Sequence, residues 1–239
     1  MNNKLKYRHE VKYYVPYPQY FVIKQRLKNV MTPDFHAGPN GDYQVRSLYF
    51  DDVNNKALFD KQAGIKDRVK YRIRLYNMRD DVIHFEKKIK TNDYIAKVKE
   101  SIDRETAEGF SNGNYHHIDS ADMKKNLIAE VFHEMKNKLL RPKVIVDYTR
   151  EAYTADTGNV RITFDKNLQT GLEQVNLFGE DVQTINAIDE NFIIMEVKYD
   201  EFIPDYIKTA LQTRGIQRQA ASKYVICRKF IKSNAWEDQ

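Results

Sequence analysis

The sequence predicts an α+β fold of about eight strands with helices inserted between them. Three observations predict it. Sixteen tyrosines and twelve phenylalanines suit a pleated, half-buried sheet. Eight stretches alternate side-chain character with period two. Other stretches repeat apolar residues at helical spacing, and those stripes must be buried against something. With nine Gly and six Pro in 239 residues there is little material for long flexible linkers, so one domain over 1–239 is expected.

Residues 6–15 read as the first strand, with Arg8, Glu10, Lys12 and Tyr14 on one face and Tyr7, His9, Val11, Tyr13 and Val15 on the other. Pro16 and Pro18 close it. "PQYFVIKQRLKNV" then reads as a helix, because Pro18 suits a first turn and Tyr20, Ile23, Leu27 and Val30 share a stripe. "TPDFHAGPNGD" is a loop, and 43–51 a second strand. Residues 54–62 suggest a short helix ended by Gly64. Strands follow at 69–76, 82–90 and 94–102. A helix over 120–140 would align Met123, Leu127, Val131, Met135 and Leu139. "KVIVDYTREAY", "VRITFDKNL" and 192–200 are strand-like, and 204–214 and 217–231 read as closing helices.

Composition narrows the function. A net charge of +5 suits anionic partners. The cations alternate along strands and form no compact nucleic-acid patch, so no nucleic acid is expected as partner. A single cysteine, Cys227, permits no intramolecular disulfide and fits a reducing compartment. The N-terminus lacks a signal-type apolar stretch, and no run approaches the ~20 apolar residues of a membrane span. A cytoplasmic protein is expected.

The unusual feature is charge on strand faces. "VKYRIRLY" places Lys70, Arg72 and Arg74 at every second position, with Tyr71, Ile73 and Leu75 between them. Arg8/Glu10/Lys12, Glu86/Lys88/Lys90, Arg161/Thr163/Asp165 and Glu196/Lys198 repeat the pattern, each opposite an apolar face. One such strand alone is a sheet with a solvated side. Across the set, helices covering the apolar faces leave the charged faces either open or closed on one another as a charged lumen. A closed lumen of cations with a few carboxylates would suit a polyanion bridged by a divalent metal.

The order and spacing of "RHEVKYYV", "RSLYFDD", "GIKDRVKYRIRLY", "HFEKKIK", "DYTREAY", "VRITFD", "MEVKYD" and "ASKYVIC" resemble the VTC-type polyphosphate polymerase domain of the triphosphate tunnel metalloenzymes, the CYTH-like superfamily. The likeness runs from about residue 6 to 230. It implies a closed, antiparallel eight-stranded β-barrel tunnel with a charged lumen and helices outside. It implies phosphate binding by Lys12, by the Arg72/Arg74 pair, and by Lys88, Lys99, Arg150, Arg161, Lys198, Ser222 and Lys223. It implies Glu196 as the principal metal carboxylate, with Glu10 and Glu86 as helpers, and Mn²⁺ or Mg²⁺ as cofactor. The sequence departs from the family at Ala220, where a lysine is expected; Arg218 is nearby.

The resemblance implies that ATP or another triphosphate lies in the tunnel and passes its γ-phosphate to inorganic polyphosphate, with Arg72, Arg74, Lys88, Arg150 and Arg161 stabilising the charge. Such chemistry is positioning and electrostatics, so no protein nucleophile is needed. Two rivals use the same residues: hydrolysis of a triphosphate, and a non-catalytic polyphosphate or nucleotide sensor. If relatives move polymer across a membrane, this chain would need a membrane partner. Elsewhere, His116–His117 reads as a solvated loop pair, His84 as a charged-face residue, Cys227 as core, and Asp51–Asp52 as a strand-ending turn.

Overall fold

A computed structural model describes residues 5–115, 118, 122–179 and 181–234. Its main strands are β1 (Arg8–Pro16), β2 (Asp42–Asp51), β3 (Arg68–Tyr76), β4 (Arg79–Thr91), β5 (Tyr94–Ile102), β6 (Arg141–Ala155), β7 (Val160–Thr170) and β8 (Phe192–Tyr199). Every neighbouring pair is antiparallel, and the order β1–β8–β7–β6–β2–β3–β4–β5 returns to β1. The sheet is therefore a closed barrel, as the resemblance implied. Closure removes sheet edges. Its narrowest seam joins β5 to β1 through Arg8–Ile95 and His9–Tyr94 only. Two-residue strands at Thr32–Pro33, Ile185–Asn186 and Gln217–Arg218 are added to the ring.

Alternation sorts the side chains between lumen and exterior. Two apolar layers lie outside. Leu48, Phe50, Ile73, Leu75, Ile83 and Phe85 pack under α3 (Arg104–Ser111) and α4 (Asn126–Asn137). Val160, Ile162, Phe164, Ile193, Met195 and Val197 pack under α1 (Tyr17–Leu27) and α5 (Asp205–Leu211). On these strands the expected apolar faces are the buried ones, and on α1 Tyr20, Ile23 and Leu27 keep the expected stripe, whereas Val30 lies beyond the helix and is exposed.

A third apolar cluster is different. Tyr49, Val144, Val146, Tyr148, Leu168 and Ile194 have lumen parity, and Tyr224 and Cys227 of α6 (Lys223–Asn234) pack on them. So α6 covers the lumen side of the barrel, against the expectation that all helices lie outside. β2 and β6 are apolar on both faces at that end, and the inner face needs a cover. Tyr224 stacks on Tyr49 at 5.3 Å and donates its hydroxyl to Asp51. Cys227 is fully buried, as expected of a core residue, and burial pushes its thiol up to about 12.

Other differences are local. α3 was not expected; its Asp103 cap accepts the Thr106 amide at 2.8 Å, but its stripe reduces to Ala107 and Phe110. The 120–140 helix is shorter, because Leu139 takes a positive φ of 52° and lies exposed. α6 starts at Lys223, after Gln217–Arg218 pair with β1. Asp51 accepts the Ala57 and Leu58 amides at 2.8 and 3.1 Å, and Asp52 the Lys56 amide at 2.9 Å. This pair organises α2 (Lys56–Gln62). His116–His117 lie outside the described residues.

Candidate functional site

The lumen holds a cavity of about 540 Å³, lined by twelve lysines and arginines against three carboxylates. Of the residues expected there, Glu10, Lys12, Arg72, Arg74, Lys88, Arg150, Glu196, Lys198, Ser222 and Lys223 line it. They come from β1, β3, β4, β6, β8 and the start of α6. The barrel thus gathers residues far apart in sequence because they share one strand parity.

The arginines are held from behind. Arg72 gives Nε to Glu86 at 2.7 Å and Nη1 to the Tyr49 hydroxyl at 2.8 Å. Arg150 meets Asp165 through two bonds of 2.6 and 2.8 Å, and Lys223 pairs with the same carboxylate. Arg74 is held chiefly by neutral oxygens: Ser47 Oγ at 3.2 Å and the Tyr148 hydroxyl at 2.9 Å, with Glu86 only at 3.9 Å. Its charge is the least offset of the three. A guanidinium has five N–H donors, so each retains capacity for a phosphate fork.

The lysines gather around two carboxylates. Lys12 Nζ sits 3.3 Å from Glu10 and 3.1 Å from Glu196. Lys88 meets Glu10 at 2.6 Å, and Lys198 meets Glu196 at 2.5 Å. Burial opposes ionisation of Glu10, yet Lys88, Lys12 and Lys198 bring it down to about 2. Burial also disfavours charge on Lys88; with Lys12 and Lys198 opposing Glu10 and Glu196, it falls to about 7. Lys70 is likewise held well below the ordinary lysine value by burial and by Lys12, Lys88, Arg68 and Lys61. The cavity is crowded with cations that an incoming anion would relieve.

Among the described residues, no three His, Cys, Asp or Glu side chains converge as a metal cage. Glu10 and Glu196 do converge, and the Lys12 ammonium already stands between them. That pair suits Mg²⁺ or Mn²⁺, which takes one or two carboxylates and completes its shell with phosphate oxygens and water. Glu86 does not join them. Its oxygens face Arg72 at 2.6 Å and Lys97 at 3.0 Å, where it serves as counter-ion to the arginine pair.

Besides Glu86, two expected residues lie apart from the cavity lining. Arg161 is 2.6 Å from Asp34 and donates to the Tyr43 hydroxyl at 3.0 Å. Lys99 is exposed, 3.5 Å from His84 Nε2; Lys97, two residues earlier, is the one that meets Glu86. Lys70, which shares the parity of Arg72 and Arg74, was not among the expected phosphate ligands. It lines the cavity, donates to Ser222 Oγ at 2.9 Å and lies 5.1 Å over the Tyr224 ring. Tyr49 and Tyr148 were missed as supports because their hydroxyls carry no charge, and Asp165, though on an expected charged face, had no partner assigned because its contacts to Arg150 and Lys223 are long-range. Lys61, Arg68, Lys90 and Arg218 add further cations to the lining. His84 accompanies Lys99 and Ser101 away from it. No helix among the described residues is long and apolar enough to cross a membrane.

Among solved structures, the chain is similar to a candidate adenylyl cyclase from Hippeastrum, with a TM-score of 0.52 and 15% identity over 93% of this chain and 96% of that one. It is also similar to candidate adenylate cyclases from Vibrio parahaemolyticus, with a TM-score of 0.49 and 10% identity over 94% and 99%, and from Bacillus halodurans, with 0.47 and 9% over 96% and 90%. At these identities the Hippeastrum likeness is one of fold. A search of curated proteins finds no match. The family model of the VTC domain matches residues 7–232. A match over nearly the whole chain, on a closed barrel with a basic lumen, means that this chain belongs to the VTC domain family.

Proposed function

We propose that the lumen binds the phosphates of a nucleoside triphosphate, with one end of a polyphosphate chain, and transfers the γ-phosphate to that chain. The observation that carries this reading is the surplus of positive charge. It runs from Arg74 and Arg150 through Lys70 to Arg68, Lys90 and Arg218. A metal-bound triphosphate alone leaves most of that charge unmatched, whereas a polyanion fills it.

In this reading Arg72, Arg74 and Arg150 fix the phosphoryl oxygens, with the neutral hydroxyls behind Arg74 leaving its charge for the transferring group. Lys12, Lys88 and Lys198 flank the carboxylate pair and steady the adjoining phosphates. Arg161 contributes only on leaving Asp34. Ala220 supplies no cation where the family pattern has a lysine, and Arg218, which lines the same cavity, adds one nearby. An already ionised oxygen at the end of the polyphosphate chain attacks the γ-phosphorus, the bond to the β–γ bridging oxygen breaks and the nucleoside diphosphate leaves, so no general base is required, and closure of the lumen limits competition from water. Glu196 and Glu10 would hold a divalent ion, which would supply positive charge to offset the charge developing on the transferring phosphoryl group.

The test is to incubate the protein with ATP and Mn²⁺ or Mg²⁺ and analyse the products. Polyphosphate chains are expected; free phosphate without polymer favours hydrolysis instead. Hydrolysis is the second reading because the Hippeastrum protein of the same fold is described as having a dominant triphosphatase activity. Binding without any turnover would favour the sensor.

The lysine environment predicts coupled proton uptake. An anion beside Lys70 and Lys88 raises both values, so triphosphate binding should take up protons near pH 7 to 8 and weaken as pH rises above Lys88's value of about 7. Titration calorimetry in buffers of different ionisation heat measures this. A heat independent of buffer would contradict it.

A further inference from the structure

We propose that Lys12 is a built-in cation that keeps the Glu10–Glu196 pair closed to a divalent metal until a phosphate chain enters the lumen and draws its ammonium away. Phosphate binds first, and the metal site opens behind it. The inference rests on the phosphate- and metal-binding reading above and concerns the order in which that site fills.

Strand register places the lysine there. On the lumen face of the β1–β8 pair, Glu10 lies opposite Lys198 and Lys12 opposite Glu196. Carboxylate and ammonium thus alternate around a square. Lys12 Nζ bridges the two carboxylates, 3.3 Å from Glu10 Oε1 and 3.1 Å from Glu196 Oε2. Lys198 takes the other oxygen of Glu196 at 2.5 Å. Lys88 reaches across from β4 to both oxygens of Glu10, at 2.6 and 2.8 Å. Every oxygen of the pair therefore already faces an ammonium. A cation shared by the two glutamates has to take the place that Lys12 holds.

Exposure shows which groups an incoming ligand meets first. The side chains of Lys12, Lys88 and Lys198 are 18, 29 and 24% exposed, those of Glu10 and Glu196 only 4 and 5%. All three lysines line the cavity, so they stand between it and the carboxylates. A bare divalent ion approaches through ammonium groups that repel it, and it gives up its water reluctantly. A phosphate chain has the opposite sign and meets the same ammoniums as partners. Lysine suits the exchange, because its charge is a point on a flexible stem that can swing from carboxylate to phosphate. The bound anion also offsets the charge a metal brings. Phosphate and metal therefore favour each other's binding, and by linkage the effect is reciprocal.

The experiment titrates Mn²⁺ alone, in phosphate-free buffer, into wild type, Lys12→Gln and the double variant Lys12→Gln/Glu196→Gln, with free Mn²⁺ read by electron paramagnetic resonance. Lys12→Gln should bind Mn²⁺ at least ~10-fold more tightly than wild type, because no ammonium then stands between the two carboxylates. The double variant should lose that gain. Equal affinity in wild type and Lys12→Gln would overturn the proposal, as would a gain that survives in the double variant. Tight Mn²⁺ binding to wild type without phosphate would overturn it even should Lys12→Gln not fold. Calorimetry of inorganic triphosphate with wild type in chelator separates the two levels of inference. No binding there would remove the phosphate-binding reading itself, whereas binding there together with an open metal site would remove only the role given to Lys12.

Discussion

Replacing Glu196 by glutamine is expected to lower metal-dependent turnover of ATP by ~10²-fold or more, while metal-free triphosphate binding tightens several-fold. The two directions follow from one group. Glu196 is 4% exposed and faces Lys12 at 3.1 Å and Lys198 at 2.5 Å. Glutamine keeps the shape but supplies no charge to a cation, so the ion loses its principal carboxylate. Lys12 and Lys198 then lose a counter-ion and are freer to meet phosphate, since close charges in a partly desolvated site interact strongly. Steady-state rates with Mn²⁺ or Mg²⁺ and calorimetry in chelator measure the two effects separately. Turnover unchanged by the substitution would exclude Glu196 as the metal carboxylate. Tightening without loss of turnover would leave it a counter-ion only.

The contrast with Glu86 shows what could be read from the chain and what could not. Both glutamates sit two residues before a lysine on a charged strand face, and strand alternation alone does not separate them; only the resemblance ranks Glu196 first. What separates them is register. Glu86 lies opposite Arg72, whereas Glu196 lies opposite Lys12 and beside Glu10's partner Lys198. Period-two alternation puts Glu10, Lys12, Arg72, Arg74, Lys88, Glu196 and Lys198 on charged strand faces, and all of them line one cavity; Arg150, Ser222 and Lys223, which also line it, were expected from the resemblance alone. Alternation carries no information on height along the barrel, which depends on the stagger between strands. Register alone does not settle every contact: Lys99 lies directly opposite Glu86 but turns to His84, and Lys97, opposite Lys88, is the one that reaches Glu86. Arg161 likewise has the right parity but meets Asp34 from the loop after α1, a contact 127 residues distant in sequence that no local pattern encodes. α6 was misjudged for a related reason. Its apolar stripe predicted burial but not whether the partner surface lay inside or outside the barrel. The doubly apolar β2 and β6 held that information.

Asp165 should be the largest single contributor to stability among the lumen carboxylates. It is fully buried and is the counter-ion of both Arg150, through bonds of 2.6 and 2.8 Å, and Lys223 at the start of α6. Asp165→Asn leaves two buried cations facing a neutral amide. Removing one partner of a buried ionic group costs ~3–5 kcal/mol, because the remaining charge stays desolvated. Chemical denaturation of wild type and variant measures the loss. The pH dependence has a definite sign. Burial disfavours the Asp165 carboxylate, but Arg150 and Lys223 overcome it and hold its value below the ordinary 3.8. Its stabilisation is therefore complete above about pH 4 and is lost as pH falls towards the folded-state value, so the gap between wild type and variant should shrink on acidification. Tripolyphosphate should raise the melting temperature of the variant more than that of wild type, because the anion replaces the missing charge beside Arg150 and Lys223 and binds the folded state alone. Equal shifts in the two proteins would mean that the bound phosphates do not reach this pair. That outcome would confine the phosphate chain to the half of the lumen around Lys70, Lys88 and the Glu10–Glu196 carboxylates, and would remove Arg150 from the transfer step.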